Sequence, residues 1–203
     1  MLSDKISWEI SPPSRLRLPV TCSGLILAIC VVFFFLILVA PKFASNYLVL
    51  IPSQVSSHPW TLITHMFLHA DMNHLFWNML FLFFFGTELE NRVGERRFCL
   101  IFFLSGLAAA AGQIIATGGE GAMLGASGAL YGVFGCLAIL APEIRVFLFF
   151  MIPLSIRSAV VLFALMDYVM RGQVDNIAHM AHLTGLLVGL IFGYMLKGRY
   201  SYY

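Results

Sequence analysis

Charged residues are scarce in this 203-residue sequence: they make up 11% of it, against about a quarter of an ordinary soluble domain. Hydrophobic residues make up 60%, or about 122 residues. This composition excludes a soluble enzyme, a disordered tail and a nucleic-acid-binding domain, and a net charge of +2 is too small to indicate an anionic partner. Because a membrane-crossing helix needs about 20 apolar residues, we predict an all-α membrane protein with about six transmembrane helices.

Cysteine is also scarce, and its spacing is not that of a zinc site. Cys22, Cys30, Cys99 and Cys136 all stand in apolar stretches, and the sequence has no C-x-x-C pair. We interpret them as small core residues rather than as a disulfide framework or metal ligands. The apolar run over 20–40 is too long for a signal-peptide core, so we interpret it as a retained first membrane helix.

The apolar runs predict a cytoplasmic N-terminal segment (1–19), a six-helix membrane domain (20–196) and a cytoplasmic tail (197–203). The predicted spans are 20–40, about 72–87, 98–117, about 124–141, about 156–170 and about 177–196. A long connection covers 41–71 and a charged loop covers 88–97. The apolar stretch 146–153 is too short to cross a bilayer.

The distribution of lysine and arginine predicts the orientation. With six spans, ten of the twelve basic residues fall in the N-terminal segment, the second and fourth loops and the tail. Only Lys42 and Arg171 fall on the opposite side. Because basic residues accumulate in cytoplasmic loops, we expect a multi-pass protein of the cell membrane with both termini cytoplasmic and the first, third and fifth loops external.

Several polar side chains stand inside the predicted spans, where they are costly and usually functional. His74 and Asn78 begin the second span, Ser127 begins the fourth, and His182 lies in the first turns of the sixth. All three spans enter from the external side. At about 1.5 Å of rise per residue, Ser127 and His182 are expected about 5–10 Å below that surface, at one common depth.

Small residues form similar stripes on the fourth and sixth spans. Gly185 and Gly189 follow His182 at helical spacing, and further glycines follow Ser127 over 128–135. Such stripes let membrane helices approach closely. Packing one stripe on the other would bring His182 near Ser127.

A serine within hydrogen-bond reach of a histidine is a nucleophile with its general base. The ring of His74, the amide of Asn78 and the backbone N–H of Ser127 could supply hydrogen bonds to an oxyanion. Gly125 leaves room for a substrate backbone. Asp167, in the fifth span, is expected to lie too deep to complete a triad, so a Ser–His dyad is the simplest interpretation.

In combination, these residues resemble the rhomboid family of intramembrane serine proteases. The family's G-x-S-G is matched at 125–128, its H-x-x-x-H…H-x-x-x-N at 65–78, its G-x-x-x-E-x-x-x-G at 86–94, and its A-H-x-x-G-x-x-x-G within 178–189. The matching stretches cover about residues 58–195 and occur in the family's order.

The resemblance implies a rhomboid-like bundle in which Ser127 attacks, His182 is the base, and His74 and Asn78 line the oxyanion hole. Tyr131 would pack on the His182 ring. Gly125 would admit the substrate chain, and structural roles are implied for His69, Glu90, Arg92, Gly185 and Gly189. Such a protein hydrolyses peptide bonds in or near transmembrane segments of other proteins in the lipid bilayer. It needs no cofactor, metal, nucleic acid or obligatory partner subunit.

Two other classes remain open at this point. The histidines at 65, 69, 179 and 182 could ligate haem or a metal ion, and a colourless, metal-free purified protein would count against that class. A non-catalytic membrane-binding protein could also keep this fold. Each polar residue has a structural interpretation as well: Ser127 in a small-residue packing motif, and Glu88, Glu90 and Arg92 in a solvated charged turn.

Overall fold

The computed structural model describes residues 21–148, 151–172 and 177–200. The predicted N-terminal segment, 1–19, lies outside the described residues, as do the last three residues of the predicted tail. The described residues are mainly helical, and a single two-stranded hairpin accompanies the helices in that part of the chain.

The helices of the described residues are α1 (Cys22–Val39), α2 (Pro41–Tyr47), α3 (Thr61–Thr64), α4 (Met72–Phe81), α5 (Thr87–Val93), α6 (Glu95–Ala116), α7 (Ser127–Leu140), α8 (Ile156–Met170) and α9 (His179–Tyr200). Short 3-10 turns occupy Pro52–Gln54 and His65–Phe67, and a π-helical turn, Leu82–Gly86, joins α4 to α5. The hairpin consists of β1 (Arg145–Leu148) and β2 (Ile152–Ser155).

Three helices of the described residues are long and apolar enough to cross a membrane: Cys22–Val39, Glu95–Ala116 and His179–Gly198. Helix α7 is apolar but shorter, at 14 residues. The protein is therefore a multi-pass membrane protein. The count of six spans stays a prediction, since length and composition support three of them.

One prediction about the connections is wrong. The charged loop predicted over 88–97 is mostly helical, because α5 runs to Val93 and α6 begins at Glu95. Gly94 alone makes the turn, with a φ of 82° that favours glycine. The apolar stretch after α7, which is too short to cross a bilayer, contributes to the antiparallel hairpin. Val146 pairs there with Leu154, and both side chains pack against the core.

The interpretation of the cysteines is wrong for two of the four. Cys22 and Cys99 form a disulfide that joins the first turn of α1 to the first turns of α6. Apolar sequence surroundings did not indicate this pair, because the cysteines are 77 positions apart and meet only where two helix starts come together. Cys30 and Cys136 are free and fully buried, as expected of core residues.

Glu90 is buried and binds the start of α1. One carboxylate oxygen accepts the N–H of Cys22 at 2.6 Å, and the other accepts the N–H of Ser23 at 2.8 Å. A carboxylate stabilises a helix start because the first N–H groups lack partners within the helix and carry partial positive charge. The interpretation of Glu90 as part of a solvated turn is therefore wrong.

Salt bridges and loop contacts show which loops share an end of the bundle. Arg92 pairs with Glu88 at 2.6 Å and with Glu143 at 2.7 Å, so the end of α5 and the loop after α7 lie together. At the opposite end, Leu50 and Met123 exchange backbone hydrogen bonds of 3.1 and 2.8 Å. The first and third loops thus meet at one end, and the second and fourth loops meet at the other.

Among the helices of the described residues, α7 has the largest share of buried residues, and its glycines face those of α9. A Cβ added to Gly185 would lie 2.0 Å from the carbonyl oxygen of Gly128, and one added to Gly189 would lie 1.9 Å from that of Gly132. The two backbones are therefore in direct contact along the stripes, which is the packing that the sequence predicted. This contact fixes the spacing between the residues at the start of each helix.

Candidate active site

Ser127 and His182 meet at the end of the bundle where the first and third loops lie. Ser127 is the first residue of α7, and His182 lies in the first turn of α9. The Ser127 Oγ is 2.9 Å from the His182 Nε2, which is hydrogen-bond distance. The glycine contacts one and two turns further along hold the two helices close enough for this bond.

Tyr131 holds the ring of His182 from one side. It stands one helical turn after Ser127, and its ring stacks on the imidazole with centroids 4.3 Å apart and planes 7° from parallel. Stacking on a rigid ring restricts rotation of the imidazole about its side-chain torsions. Nε2 is thereby kept facing Ser127.

Asp167 lies against the far side of the same histidine, and the expectation that it lies too deep is wrong. Its Oδ1 is 3.0 Å from the Nδ1 of His182 and 2.7 Å from the Nδ1 of His179. Asp167 is only three residues from the end of α8, so it shares the depth of the first turn of α9. The predicted end of the fifth span at residue 170 already indicates that Asp167 lies close to that end of the bundle.

His74 and Asn78 lie one turn apart on one face of α4, and His74 lies beside the loop that precedes Ser127. Asp71 caps this helix by accepting the N–H of His74 at 2.8 Å, and the Asn78 side-chain amide donates to the His74 carbonyl at 2.8 Å. A Cβ placed on Gly125 would lie 2.8 Å from the His74 Nε2 and 4.0 Å from the Ser127 Oγ. The His74 ring therefore faces the serine across Gly125.

The loop before Ser127 is held in an unusual backbone conformation. Gly125 has a φ of 123°, which L side chains rarely adopt, and its N–H donates to the carbonyl of His65 at 2.9 Å. A cavity of about 20 Å³ lies beside this loop, and Gly125, Ser127 and Ala181 contribute to its lining. That volume suffices for a water molecule.

His69 is fully buried, and its ring contacts that of His74 with centroids 5.0 Å apart. Burial and the neighbouring His74 lower the pKa of His69 to about 4, so the ring is neutral at physiological pH. A neutral buried ring at the junction of the first loop and α4 suits the structural role predicted for it.

A match to the Rhomboid domain family covers residues 56–199, more than two thirds of the chain. The chain belongs to the rhomboid family. It is 31% identical to RHOMBOID-like protein 6, mitochondrial, of Arabidopsis thaliana over 144 aligned residues. These residues are 68% of this chain and 43% of that protein. It is also 25% identical to Rhomboid protease GlpG of Yersinia pestis over 183 aligned residues. These residues are 87% of this chain and 62% of that protein. The chain thus spans less than half of the first relative and less than two thirds of the second.

The histidines of this rhomboid do not form the four-ligand set that the sequence left open. His65 Nδ1 bonds the carbonyl of Thr61 at 2.8 Å, and His69 packs on His74. Within 21–148, 151–172 and 177–200, the group with metal-ligand spacing is Asp167, His179 and His182, whose donor atoms lie within 4.8 Å of one another. Two of those donors, the Nδ1 atoms, already bond the carboxylate.

Proposed function

We propose that this rhomboid is an intramembrane serine endopeptidase that hydrolyses peptide bonds in or near transmembrane segments of other membrane proteins. The observation that carries the proposal is the 2.9 Å contact between Ser127 Oγ and His182 Nε2. A second observation supports it, since His74 faces the same serine across Gly125. The names of the bacterial relatives, rhomboid protease GlpG, indicate the same class of activity.

In the proposed acyl transfer, each proton transfer involves a named atom. Ser127 Oγ bonds the scissile carbonyl carbon while its proton moves to His182 Nε2, and that proton then passes to the leaving nitrogen as the C–N bond breaks. A water molecule gives one proton to the same Nε2 as its oxygen attacks the acyl carbon. When the ester bond to Ser127 breaks, Nε2 returns that proton to Ser127 Oγ, and the starting state is restored. The net reaction consumes one water molecule, and the groups proposed to catalyse it belong to the protein.

The oxyanion would lie between α4 and the start of α7. The N–H of Ser127 is available because the first N–H groups of a helix have no partner within that helix. We assign side-chain donors on the opposite side to His74, which faces Ser127 across Gly125, and to Asn78 one turn further along α4. The Asn78 amide donates one N–H to the His74 carbonyl and has a second N–H to offer. Donors fixed before the reaction stabilise the developing charge without reorganisation, and one such donor is worth about 10²–10³ in kcat.

The substrate class follows from the position of Ser127 at the end of a buried helix. Peptide bonds inside a transmembrane helix are shielded by their own hydrogen bonds, so a cleavable segment must unwind locally or present an extended stretch near the membrane surface. We therefore propose transmembrane proteins with an external N-terminus, or helices that unwind near the outer leaflet, as substrates. The proposed reaction requires the bilayer and a substrate, with no obligatory partner subunit.

Fluorophosphonate labelling of the purified protein tests the proposed function. We expect wild type to be labelled at Ser127, and we expect Ser127→Ala and His182→Ala to lose both labelling and cleavage of a reference transmembrane substrate. The physical reason is that neither a nucleophile without its base nor a base without its nucleophile can form the acyl intermediate.

Thermal melting of all three proteins supplies the control, because unchanged melting assigns the loss to chemistry. Labelling that survives Ser127→Ala would refute the assignment of the nucleophile. A wild type that folds but is neither labelled nor active would favour the non-catalytic membrane-binding class.

We also propose that the end of the bundle carrying Ser127 faces the outside and that both termini are cytoplasmic. The basic-residue bias supports this orientation, and the Arg92–Glu143 pair lies at the end that would be cytoplasmic. Single cysteines at exposed loop positions provide the test: Ser56→Cys in the first loop, Glu120→Cys in the third, and Glu143→Cys in the fourth.

A membrane-impermeant maleimide is expected to label Ser56→Cys and Glu120→Cys in intact cells, and Glu143→Cys only after membrane rupture. The free native cysteines, Cys30 and Cys136, are fully buried and should give little background. The reverse labelling pattern would show that the orientation is inverted.

A further inference from the structure

We propose that Asp167 is a positioning residue of the active site, which makes the catalytic group of this rhomboid a Ser–His–Asp arrangement rather than a dyad. The inference rests on the proposed function. It concerns a carboxylate on α8, a helix that contributes none of the family motifs matched by this sequence.

The contacts join the three side chains in one line. Ser127 Oγ bonds His182 Nε2 at 2.9 Å, and His182 Nδ1 bonds Asp167 Oδ1 at 3.0 Å. Asp167 is 5% exposed, so its carboxylate is held inside the bundle rather than at its surface. A buried carboxylate is costly unless it is paired, and the partners that offset this cost are the two histidines of α9.

The bond to Asp167 fixes which ring nitrogen of His182 carries the proton. A carboxylate oxygen only accepts, so the proton lies on Nδ1 and the lone pair of Nε2 faces Ser127. When Nε2 takes the serine proton, the ring becomes positively charged while the Nδ1 proton stays in place, and the adjacent carboxylate stabilises that charge. Without Asp167, the neutral ring could populate the other tautomer, which cannot accept from serine.

His179 and Tyr131 keep the carboxylate and the ring in their relative places. His179 donates from Nδ1 to the same Oδ1 at 2.7 Å, one helical turn before His182 on α9. Tyr131 stacks on the His182 ring and restricts its rotation. His179 thus orients the carboxylate of Asp167, and that carboxylate positions the ring of His182.

A purely structural role for Asp167, as a tie between α8 and α9, predicts a different outcome from a positioning role. Loss of a tie lowers thermal stability and affects every activity through the folded fraction. Loss of a positioning residue lowers kcat and the rate of acylation while KM and melting change little. The two roles are separated by measuring these quantities on one variant of nearly equal volume.

The variant is Asp167→Asn, and the matched control is Glu143→Gln, which removes an exposed carboxylate far from Ser127. We expect Asp167→Asn to lower kcat by about 10²–10⁴-fold, because loss of the buried aspartate in a serine-protease triad costs up to about 10⁴. The fluorophosphonate reaction rate is expected to fall by a similar factor. KM and the melting temperature should stay close to those of wild type, and Glu143→Gln should match wild type throughout.

A kcat for Asp167→Asn within about threefold of wild type would overturn the proposal, since a dyad would then suffice. So would a loss of activity matched by an equal loss of folded protein. These outcomes differ from failure of the proposed function, in which wild type itself neither cleaves nor reacts with the fluorophosphonate.

Histidine ring ¹⁵N resonances provide a second measurement that needs no stable Asp167 variant. In wild type, with the His182 signals assigned by their loss in His182→Gln, we expect the Nδ1–H tautomer and a strongly deshielded Nδ1 proton. Detection of the Nε2–H tautomer at His182 in the folded protein would overturn the inference, whatever the activity of the variants.

Discussion

Replacement of Gly189 by alanine is expected to separate α7 from α9 and to abolish most activity. The added methyl group would lie 1.9 Å from the carbonyl oxygen and 2.5 Å from the carbonyl carbon of Gly132, and backbone atoms cannot rotate away as a side chain can. Overpacking of this kind costs about 1–3 kcal/mol and sometimes more, so we expect a loss of about 3 kcal/mol in the free energy of unfolding.

The loss of activity should exceed the loss of folded protein. Ser127 and His182 are positioned by these two helices, and a shift of about 1 Å at an active site can cost about 100-fold in rate. We expect at least that decrease in kcat for the fraction of Gly189→Ala that remains folded, measured by cleavage of the reference substrate and by thermal melting.

Gly198→Ala is the matched control, since it makes the same substitution in the same helix. A Cβ at Gly198 meets nothing within 4 Å, and alanine has the higher helix propensity. The control should therefore match or slightly exceed the stability of wild type. Equal stability and activity of the two variants would show that α7 and α9 tolerate a wider spacing than the structure has.

The sequence predicts where a residue lies along its helix better than it predicts which other helices that helix contacts. The bounds of α8 agree with the predicted fifth span, and Ser127 and His182 were placed at one depth from span entry alone. The glycine stripes predicted the facing of α7 and α9 because small residues at helical spacing in a membrane helix are typical of the face that packs closely against a neighbouring helix.

Asp167 and Glu90 show what a single sequence does not contain. The depth of Asp167 could be calculated from the end of its helix, but its contact with His182 depends on the rotation of α8 about its own axis. That rotation is set by packing against the other helices. Glu90 stands among charged residues typical of a loop, and only the arrival of α1 from elsewhere in the chain makes it a buried helix cap.

The disulfide and the hairpin have related causes. Cys22 and Cys99 are distant in sequence, and the periodicity of hydrophobic residues does not indicate which helix starts lie next to each other. The apolar stretch over 146–153 is too short to span a bilayer. Its length excludes a membrane-spanning helix but does not indicate a β-hairpin. Pairing of Val146 with Leu154 satisfies their backbone groups at the end of the bundle opposite Ser127.

Replacement of Gly125 by alanine is expected to lower kcat by about 10²–10³-fold with a smaller effect on stability. The new Cβ would lie 2.8 Å from the Nε2 and 2.9 Å from the Cε1 of His74, so the ring must move away from the space in front of Ser127. Loss of one oxyanion donor has a cost of that size. Steady-state cleavage kinetics and melting on the same preparation measure both effects.

Gly121→Ala separates backbone strain from displacement of the histidine. Gly121 belongs to the same loop and also has a positive φ, 83°, but a Cβ there meets nothing within 4 Å. Both variants therefore incur a strain of about 1–3 kcal/mol, while only Gly125→Ala displaces His74. If kcat falls equally in both, loop strain is responsible and the role of His74 in binding the oxyanion is refuted; if it falls in Gly125→Ala alone, the displaced ring accounts for the difference.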